Sequence, residues 1–423
     1  MLVRFEVSNF RSIAKPVELS LVAVDQDRSA ARAAELLGES VLTRAAIYGP
    51  NASGKSNVLA ALAWLSRAVR QSLVRWDESI PVDPFAFGQW RDKPTEFTVD
   101  YLVDGVRFEY VLELGVDRVH RELLYHHPVG RPRMIFERQG NTVKFGPSIG
   151  SVPPVDELLT PTALLLSLTR QLKIHAAEDF ARQLGWIETF GALPGHSMRR
   201  SAGSTTAIFD TEGDGQELLF REGEREEALG LLRLADLGIA DVLVEREERP
   251  MPTNRDGKVL RSTPRFGART VVSLVHGEGE DQVAFGMEDE SQGTRTWYAM
   301  IGPIIWALRH GTPIIFDELD ASLHPVLSAE LLQIFGDEST NPRGAQLIFS
   351  THDTSLLAHL NRDEVWLTEK RPDGSTELGA LAEFAGGQVR KAANLESAYL
   401  HGRFGAIPDV NRMEFLRSLG LVG

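Results

Sequence analysis

The chain has 423 residues, 43% of them hydrophobic, a net charge of −14 and no cysteine. This length allows two or three lobes with sizeable cores, and the lack of cysteine excludes disulfides and cysteine-ligated zinc. No apolar run is long enough to span a bilayer, and the first residues lack the pattern of a signal peptide. We therefore expect a cytoplasmic protein with no membrane partner. The negative charge argues against a surface uniformly coated with nucleic acid, but it leaves a local basic patch, and hence DNA binding, open.

The N-terminal part of the chain predicts the opening of an α/β fold. Residues 1–23 contain two alternating apolar runs typical of strands, joined by a polar turn that includes Asn9–Ile13, NFRSI. A strand over Ala45–Tyr48 leads into the loop GPNASGKS, Gly49–Ser56, and an amphipathic helix extends to about Leu73. A glycine, four residues and then Gly-Lys-Ser, between a strand and a helix, is the pattern of a phosphate-binding loop.

The residue types of this loop have physical reasons. Gly49 and Gly54 allow backbone conformations that turn successive N–H groups toward phosphate oxygens. Lys55 supplies a positive charge for the outer phosphates, and the Ser56 hydroxyl is a natural ligand for Mg2+. A chance Gly/Ser-rich turn is the alternative, and the strand-loop-helix order argues against it. The pattern predicts binding of ATP or GTP with Mg2+ by Gly49, Pro50, Asn51, Ala52, Ser53, Gly54, Lys55, Ser56 and Asn57.

The composition changes along the chain and predicts four parts. Residues 1–75 form the first half of the α/β domain with the phosphate loop. Short alternating runs with glycine-containing turns predict a β-rich subdomain over 76–150, and helical periodicity predicts an insertion over 151–245. Residues 246–423 return to strands, a helix over Thr294–Leu308 and two very apolar runs typical of buried parallel strands.

An acidic pair follows the first of these apolar runs, PIIF (Pro313–Phe316). The carboxyl end of a buried parallel strand faces the ligand crevice of an α/β sheet. Asp317 is therefore predicted to hold Mg2+, directly or through water, and Glu318 to polarise an attacking water. An ordinary solvated turn is the alternative, but it is less consistent with a chain that already carries a phosphate loop.

Two further segments carry candidate site residues. ESQGTRTW places Ser291 and Gly293 at the start of a helix, where they form either a second anion site or a plain N-cap. The run QLIF leads into Ser350-Thr351-His352-Asp353, and His352 is a candidate sensor of the terminal phosphate or simply a hydrogen-bonded histidine at a strand end. Between the two apolar runs, DASLHP reads as a loop that follows the acidic pair.

The order of these motifs resembles the ABC-type ATPases, specifically the SMC/RecF/OLD-like branch. NFRSI resembles the opening of that branch, in which the Arg11 position lies near the nucleotide. DELDASLHP, STHD and YLHGRFGAIP (Tyr399–Pro408) are similar to the RloA-type stand-alone bacterial ATPases and to the ATPase subunit of the PARIS anti-phage system. The resemblance implies a P-loop NTPase head with a mixed sheet and flanking helices, an antiparallel β subdomain, a helical insertion and no long coiled coil. Gln89 lies in the region of the family's usual loop glutamine, although an ordinary surface glutamine is the simpler interpretation.

The resemblance also implies a mechanism. In that branch, the Ser-x-Gly segment of one protomer completes the nucleotide site of its partner, so we expect an ATP-dependent homodimer or higher oligomer that hydrolyses ATP, with Lys55, Glu318 and His352 as catalytic residues. By resemblance, the switch would serve prokaryotic anti-phage defence and control a separately encoded effector such as a nuclease. The alternatives are a RecF/SMC-like DNA-repair clamp and a nucleotide-binding scaffold with little hydrolysis. The presence of Asp317, Glu318 and His352 argues against the scaffold.

Overall fold

The computed structural model describes residues 1–128, 131–150, 155, 158–191, 193, 198–210, 223–235, 238–247, 269–384 and 395–401. The chain divides into two compact units. The first unit comprises Met1–His196, Ala307–Ala321 and Ser328–Gly423, and the second comprises Ser197–Trp306 and Ser322–Leu327. Gly402, Arg403 and Gly405 of the tail motif lie outside the described residues, and the four-part division expected from the sequence stays a prediction.

The elements follow one another in a mixed α/β order. They are β1 (Leu2–Ser8), β2 (Val17–Ser20), β3 (Ala31–Ala34), β4 (Glu39–Leu42), β5 (Arg44–Tyr48), α1 (Lys55–Arg75), β6 (Thr95–Val103), β7 (Val106–Leu114), β8 (Val119–His127), β9 (Arg133–Gln139), β10 (Thr142–Phe145), α2 (Leu165–Leu168), α3 (His175–Gly185), β11 (Glu188–Phe190), α4 (Met198–Phe209), α5 (Glu224–Ala235), β12 (Ile239–Glu247), β13 (Arg269–His276), β14 (Val283–Gly286), α6 (Gln292–His310), β15 (Pro313–Phe316), α7 (Leu319–Ser322), α8 (Pro325–Gly336), β16 (Gln346–Ser350), β17 (Val365–Lys370), β18 (Thr376–Ala380), α9 (Leu381–Phe384) and α10 (Leu395–Leu400).

A seven-stranded antiparallel sheet forms one layer of the first unit, in the order β10-β9-β8-β7-β6-β1-β2. Alternate side chains such as Phe97, Val99 and Tyr101 are fully buried, as the period of two in the sequence predicts. Asp104 and Gly105 join β6 to β7 with positive φ angles of 49° and 77°, the conformation that an Asp-Gly hairpin turn requires. The antiparallel β subdomain expected from the sequence is therefore confirmed.

A buried ion pair ties this sheet to the start of α2. Glu122 accepts hydrogen bonds from the backbone N–H groups of Leu165 and Leu166 and from the Tyr110 hydroxyl, at 2.7–2.9 Å. Arg138 lies 3.8 Å from Glu122 and donates to the carbonyls of Gly140, Thr160, Pro161 and Ala163. Burial raises the pKa of Glu122, although Arg138 and the two N–H donors act in the opposite sense. Since each charge is desolvated, each depends on the other to remain buried.

The second layer is a six-stranded sheet in the order β11-β15-β16-β5-β17-β18. All its strands run parallel except β18, which pairs antiparallel with β17. The two apolar runs of the sequence are β15 and β16, and every one of their residues is buried. The predicted α/β class, with buried parallel strands at its centre, is confirmed.

Helix α1 is buried over most of its circumference. The helix is amphipathic as predicted, and the residues of one apolar face are all buried: Val58, Leu62, Leu65 and Val69. Trp64, which the periodicity did not mark, stacks on Phe97 of the antiparallel sheet with ring centroids 5.0 Å apart. This ring contact packs the helix against the large sheet at Trp64.

The second unit is described by itself and combines a small sheet with helices. Strands β12, β13 and β14 pair antiparallel. The Trp297 indole of α6 donates to the Leu231 carbonyl of α5 at 2.7 Å, and the Thr205 hydroxyl of α4 bridges the Tyr298 carbonyl and the Gly302 N–H of α6.

The longest helices in the described part of the chain, α1 and α6, have 21 and 19 residues, so no long coiled coil is present there. None of the described helices combines the length and the apolarity that a membrane span needs.

Arg138→Ala tests the buried pair. Removing the guanidinium leaves the Glu122 carboxylate buried without its counter-charge, so the free energy of unfolding is expected to fall by about 3–5 kcal/mol. Chemical denaturation monitored by circular dichroism measures the change. Arg118→Ala is the matched control on the same sheet, because Arg118 and its partner Asp117 are 59% and 62% exposed and their loss should change stability little. Equal effects of the two substitutions would show that the buried pair does not stabilise the sheet.

Candidate nucleotide-binding site

Three parallel strands end side by side at one edge of the six-stranded sheet. Ile47 of β5 pairs with Ser350 at the end of β16, and Phe349 pairs with Phe316 at the end of β15. The phosphate loop follows β5, Asp317 follows β15 and Thr351 follows β16. Because parallel strands present their carboxyl ends at the same edge, the structure brings Lys55, Asp317, Glu318 and His352 to one crevice.

The two glycines of the loop are required by space as well as by conformation. Gly49 and Gly54 have φ angles of 152° and 110°. A β-carbon on Gly49 would lie 2.4 Å from the Thr368 hydroxyl, and one on Gly54 would lie 2.0 Å from the Thr376 hydroxyl. The β17–β18 hairpin therefore packs directly against the loop and holds its shape.

Hydroxyl groups of that hairpin continue into a hydrogen-bond network around the loop. Thr376 donates to the Ser53 carbonyl at 2.8 Å, and the Ser53 hydroxyl bonds to that of Thr368 at 2.6 Å. Thr376 also contacts the Ser12 hydroxyl at 2.8 Å, which accepts from the Asn57 amide at 2.6 Å. The network links the N-terminal motif, the hairpin and the first turn of α1. The sequence did not predict the roles of Thr368 and Thr376, since the alternation of residues in a strand does not show which hydroxyl groups contact the loop.

Lys55 closes the loop on itself. Its ammonium group donates to the carbonyls of Gly49 and Pro50 at 2.8 and 3.2 Å. Burial lowers the pKa of Lys55, while the carboxylates of Glu318 and Asp317 act in the opposite sense. The first turn of α1 carries no acidic residue, so its positive end is open to an anion.

The carboxylate of Asp317 is held by a serine that sequence analysis missed. Asp317 is 2% exposed, and the Ser350 hydroxyl donates to it at 2.6 Å. The same hydroxyl accepts from the backbone N–H of Glu318 at 2.8 Å. Glu318 has a positive φ of 55°, and its side chain is exposed at the crevice. One serine therefore fixes both acidic residues, with Asp317 buried and Glu318 accessible to water.

A second missed residue, Asp320, positions the segment that carries His352. It accepts hydrogen bonds from the Thr351 hydroxyl at 2.6 Å and from the His352 N–H at 3.1 Å. The expectation of a loop over DASLHP was wrong at its start, because residues Leu319–Ser322 form the short helix α7. The positive φ of Glu318 allows the chain to turn from strand into helix without an intervening loop.

Strand β11 supports Asp317 from the other side. The Phe190 and Phe316 rings stack with centroids 4.7 Å apart, and the Asp317 N–H donates to the Phe190 carbonyl at 3.1 Å. Gly191, with a φ of 86°, approaches so closely that a β-carbon on it would lie 2.1 Å from the Asp317 carbonyl oxygen. Asp317 can thus occupy its position only because residue 191 is a glycine. An isolated glycine does not mark a functional site in the sequence, so this role was not predicted.

The remaining predicted site residues are placed less directly. Arg11 has a φ of 50°, and its guanidinium forms an ion pair with the Asp83 carboxylate at 3.5 Å. Its neighbour Ser12, which accepts from the Asn57 amide, links this segment to the hydrogen-bond network of the loop. Gln89 is exposed in a short 3₁₀ helix, as expected of a surface glutamine. The described part of the tail motif packs beside the strand that leads into the loop: the buried Tyr399 ring lies 5.7 Å from that of Tyr48, the residue before the loop.

Ser291 and Gly293 belong to the second unit. The Ser291 hydroxyl accepts from the Thr294 N–H at 3.0 Å and so caps α6, as the alternative interpretation of this segment predicted. Both residues are exposed, and a β-carbon on Gly293 would meet only the Ser291 hydroxyl. The capped helix end therefore presents accessible N–H groups.

The oxygen donors of the crevice fit Mg2+. The Ser56 hydroxyl and the Asp317 carboxylate are hard oxygen ligands, and Mg2+ commonly takes one or two protein oxygens together with phosphate oxygens and water. Among the described residues no group of three or more His, Cys, Asp or Glu side chains converges as a metal cage. Such a site suits a metal that arrives with a nucleotide.

Gly191→Ala tests the support of Asp317. The new β-carbon must displace the Asp317 backbone, and a shift of about 1 Å at such a position reduces turnover on the order of 100-fold. ATP turnover with Mg2+ measures the effect. Gly140→Ala is the matched control, because Gly140 also has a positive φ, 57°, but has no atom within 4 Å of the added carbon. Unchanged turnover in a folded Gly191→Ala chain would show that Asp317 does not need this support.

Comparison with known proteins gives one family and a distant structural similarity. A family model described as "AAA domain, putative AbiEii toxin, Type IV TA system" matches residues 44–358. None of the curated proteins matches the chain. Among solved structures, an SMC head bound to the C-terminal winged-helix domain of ScpA aligns over 90% of this chain and 97% of its own, with 15% identity and a TM-score of 0.48.

A second solved structure is an Smc head domain with an extended coiled coil, bound to the C-terminal domain of ScpA derived from Pyrococcus furiosus. It aligns over 90% of this chain and 97% of its own, with 14% identity and a TM-score of 0.38. The family match extends from β5 through the phosphate loop and the acidic pair to beyond His352. The chain therefore belongs to the family of AAA domains that this model describes.

Proposed function

We propose that this protein is an ATP-binding and ATP-hydrolysing switch that dimerises when ATP binds. The observation that carries the proposal is the convergence of the phosphate loop, Asp317, Glu318 and His352 at the carboxyl ends of β5, β15 and β16. A nucleotide-binding loop facing one buried and one exposed carboxylate is an arrangement suited to phosphoryl transfer to water.

Each residue has a separate role in this proposal. When nucleotide binds, the Lys55 ammonium group releases the loop carbonyls and donates to the outer phosphate oxygens instead. The negative charge of the phosphates then compensates for the burial of the lysine charge. Ser56 and Asp317 hold Mg2+, which when bound neutralises developing charge on the phosphates. Glu318 orients and polarises the attacking water, since its carboxylate is exposed while its backbone is fixed by Ser350. His352 donates a hydrogen bond to the terminal phosphate, from a segment held by Asp320.

The exposed N-terminal end of α6 supports the proposed dimer. The γ-phosphate is a multivalent anion, and the capped N-terminus at Ser291 and Gly293 offers accessible N–H groups to one. In the proposed closed state, this helix end of one protomer contacts the nucleotide held by the Lys55 loop of its partner. Hydrolysis removes the shared phosphate and releases the two copies.

We further propose that the switch acts in anti-phage defence and controls a separately encoded effector. Two observations support this role. The family description names a toxin of a type IV toxin–antitoxin system. The motifs DELDASLHP and STHD resemble those of the RloA-type ATPases and of the PARIS ATPase subunit. The structure adds that both motifs form the crevice itself, through Asp317, Asp320 and Thr351.

Glu318→Gln tests the hydrolytic switch. The amide keeps the size of the side chain but cannot polarise water, so turnover should fall on the order of 100-fold or more while ATP still binds. Light scattering should then show a dimer that persists with ATP and Mg2+. Glu338→Gln, at an exposed position, is the control and should behave as wild type. If the Glu318→Gln chain turned over ATP as fast as wild type, Glu318 would not be the residue that polarises the attacking water. If that chain bound ATP but stayed monomeric, the proposed ATP-dependent dimer would be contradicted.

The defence role has its own test. Cells that express the chain together with its flanking genes should resist phage infection, and Lys55→Ala should abolish the protection because the loop no longer binds phosphates. Plaque counts measure the effect. If the cells gain no protection while bare duplex DNA strongly stimulates ATP turnover in vitro, the DNA-repair clamp replaces the defence switch.

A further inference from the structure

A second cleft lies in the first unit, away from the phosphate loop. It has a volume of about 440 Å3 and is bounded by the C-terminal third of α1 at Val69 and Arg70, by the segment from Leu166 to Arg170, and by α3 with Trp186. At 1.5 Å per residue, Arg70 is roughly 22 Å along α1 from Lys55. The volume falls within the range of sites that bind small molecules, about 300–1,000 Å3.

The charged side chains of the cleft leave a positive group without a partner. Three arginines and two acidic residues line it. Glu178 pairs with His175 at 3.2 Å, and Asp179 accepts a hydrogen bond from Arg182. Among the described residues, no hydrogen bond or ion pair engages the side chain of Arg170, which is exposed. The cleft therefore has a guanidinium available for an anion.

The cleft also has an aromatic surface. Trp186 is 37% exposed, and the Arg182 guanidinium lies 5.3 Å from the centroid of its ring. An accessible indole next to a planar guanidinium is a surface on which a flat heterocycle stacks. Leu166 and Ala181 are apolar residues that also line the cleft.

Helix α1 beside the cleft is also positively charged, like Arg170. Burial lowers the pKa of Arg67, and the neighbouring cations Arg11, Arg70 and Arg75 lower it further. Positive charges therefore accumulate along α1 in a chain whose net charge is −14. An anionic ligand near α1 would relieve part of this repulsion.

We propose that this cleft is a second ligand site that takes a mononucleotide, with the phosphate on Arg170 and the base against Trp186. The site is independent of the phosphate loop, and its proposal does not depend on hydrolysis. A single nucleotide matches the combination of one available guanidinium, one accessible indole and an open cleft of about 440 Å3. A longer nucleic acid would instead need a continuous row of such groups.

The cleft has a direct structural path to Asp317. Trp186 is followed by the buried Ile187, then by β11, and then by Gly191, which contacts the Asp317 backbone. The opposite wall is α1, which begins at Lys55. A ligand that shifts Trp186 is thus expected to move the support of Asp317 and to change ATP turnover.

Titration calorimetry on the full chain tests the site, with uridine monophosphate as the probe. The Lys55→Ala chain should bind this probe as wild type does, because the cleft does not use the loop. Arg170→Ala should weaken binding about tenfold or more, and Arg170→Lys should recover part of it, since a lysine retains the charge but not the forked donors. Arg118→Ala, at another exposed arginine, is the control. Ribose 5-phosphate and inorganic phosphate should each bind at least about tenfold more weakly than the probe, because neither can stack on the indole.

Four results would overturn the proposal. Binding that disappears in Lys55→Ala would assign the probe to the phosphate loop. Absence of binding, or binding unaffected by Arg170→Ala, would show that the cleft holds no nucleotide. An oligonucleotide that binds more tightly than the monomer, with an affinity that falls steeply with salt, would assign the surface to nucleic acid.

Discussion

The parallel pairing of β15, β16 and β5 is the constraint on which the candidate site depends. Their register pairs Phe316 with Phe349 and, one residue further along β16, Ser350 with Ile47, so the three strands end together. The three strands are buried on both faces, so a slip of one strand would separate the phosphate loop from Asp317 and also disrupt the core. Stability of the sheet and geometry of the crevice are therefore set by the same contacts.

The crevice is also held from outside these strands. Thr368 and Thr376 fill the space beside the loop glycines, Ser350 holds Asp317, and Gly191 supports it from β11. These residues fix the loop and the Asp317 carboxylate in place. Such preorganisation is what a site needs in order to stabilise charge that develops during reaction. Glu318 and His352, by contrast, have exposed side chains on backbones that Ser350 and Asp320 hold.

Local patterns predicted much of this arrangement. The strand-loop-helix order identified Lys55 and Ser56, and an acidic pair after an apolar run identified Asp317 and Glu318. Ser350, Asp320, Gly191 and Thr376 were not predicted as site residues, because their roles come from contacts with residues distant in sequence and no periodicity marks such contacts. The antiparallel subdomain was predictable from its alternation and its Asp-Gly turn. The helix over DASLHP was not, since it depends on an unusual backbone angle at Glu318.

The central claim is that two copies share each nucleotide, with Lys55 and Asp317 from one copy and Ser291 from its mate. Mixing a Lys55→Ala chain with a Ser291→Arg chain measures this most directly, because each variant alone lacks a complete centre. Random pairing of the two variants restores one complete centre in every mixed dimer, so the mixture should recover roughly a quarter of the wild-type ATP turnover. Turnover no higher than that of the two variants measured separately would contradict the shared site.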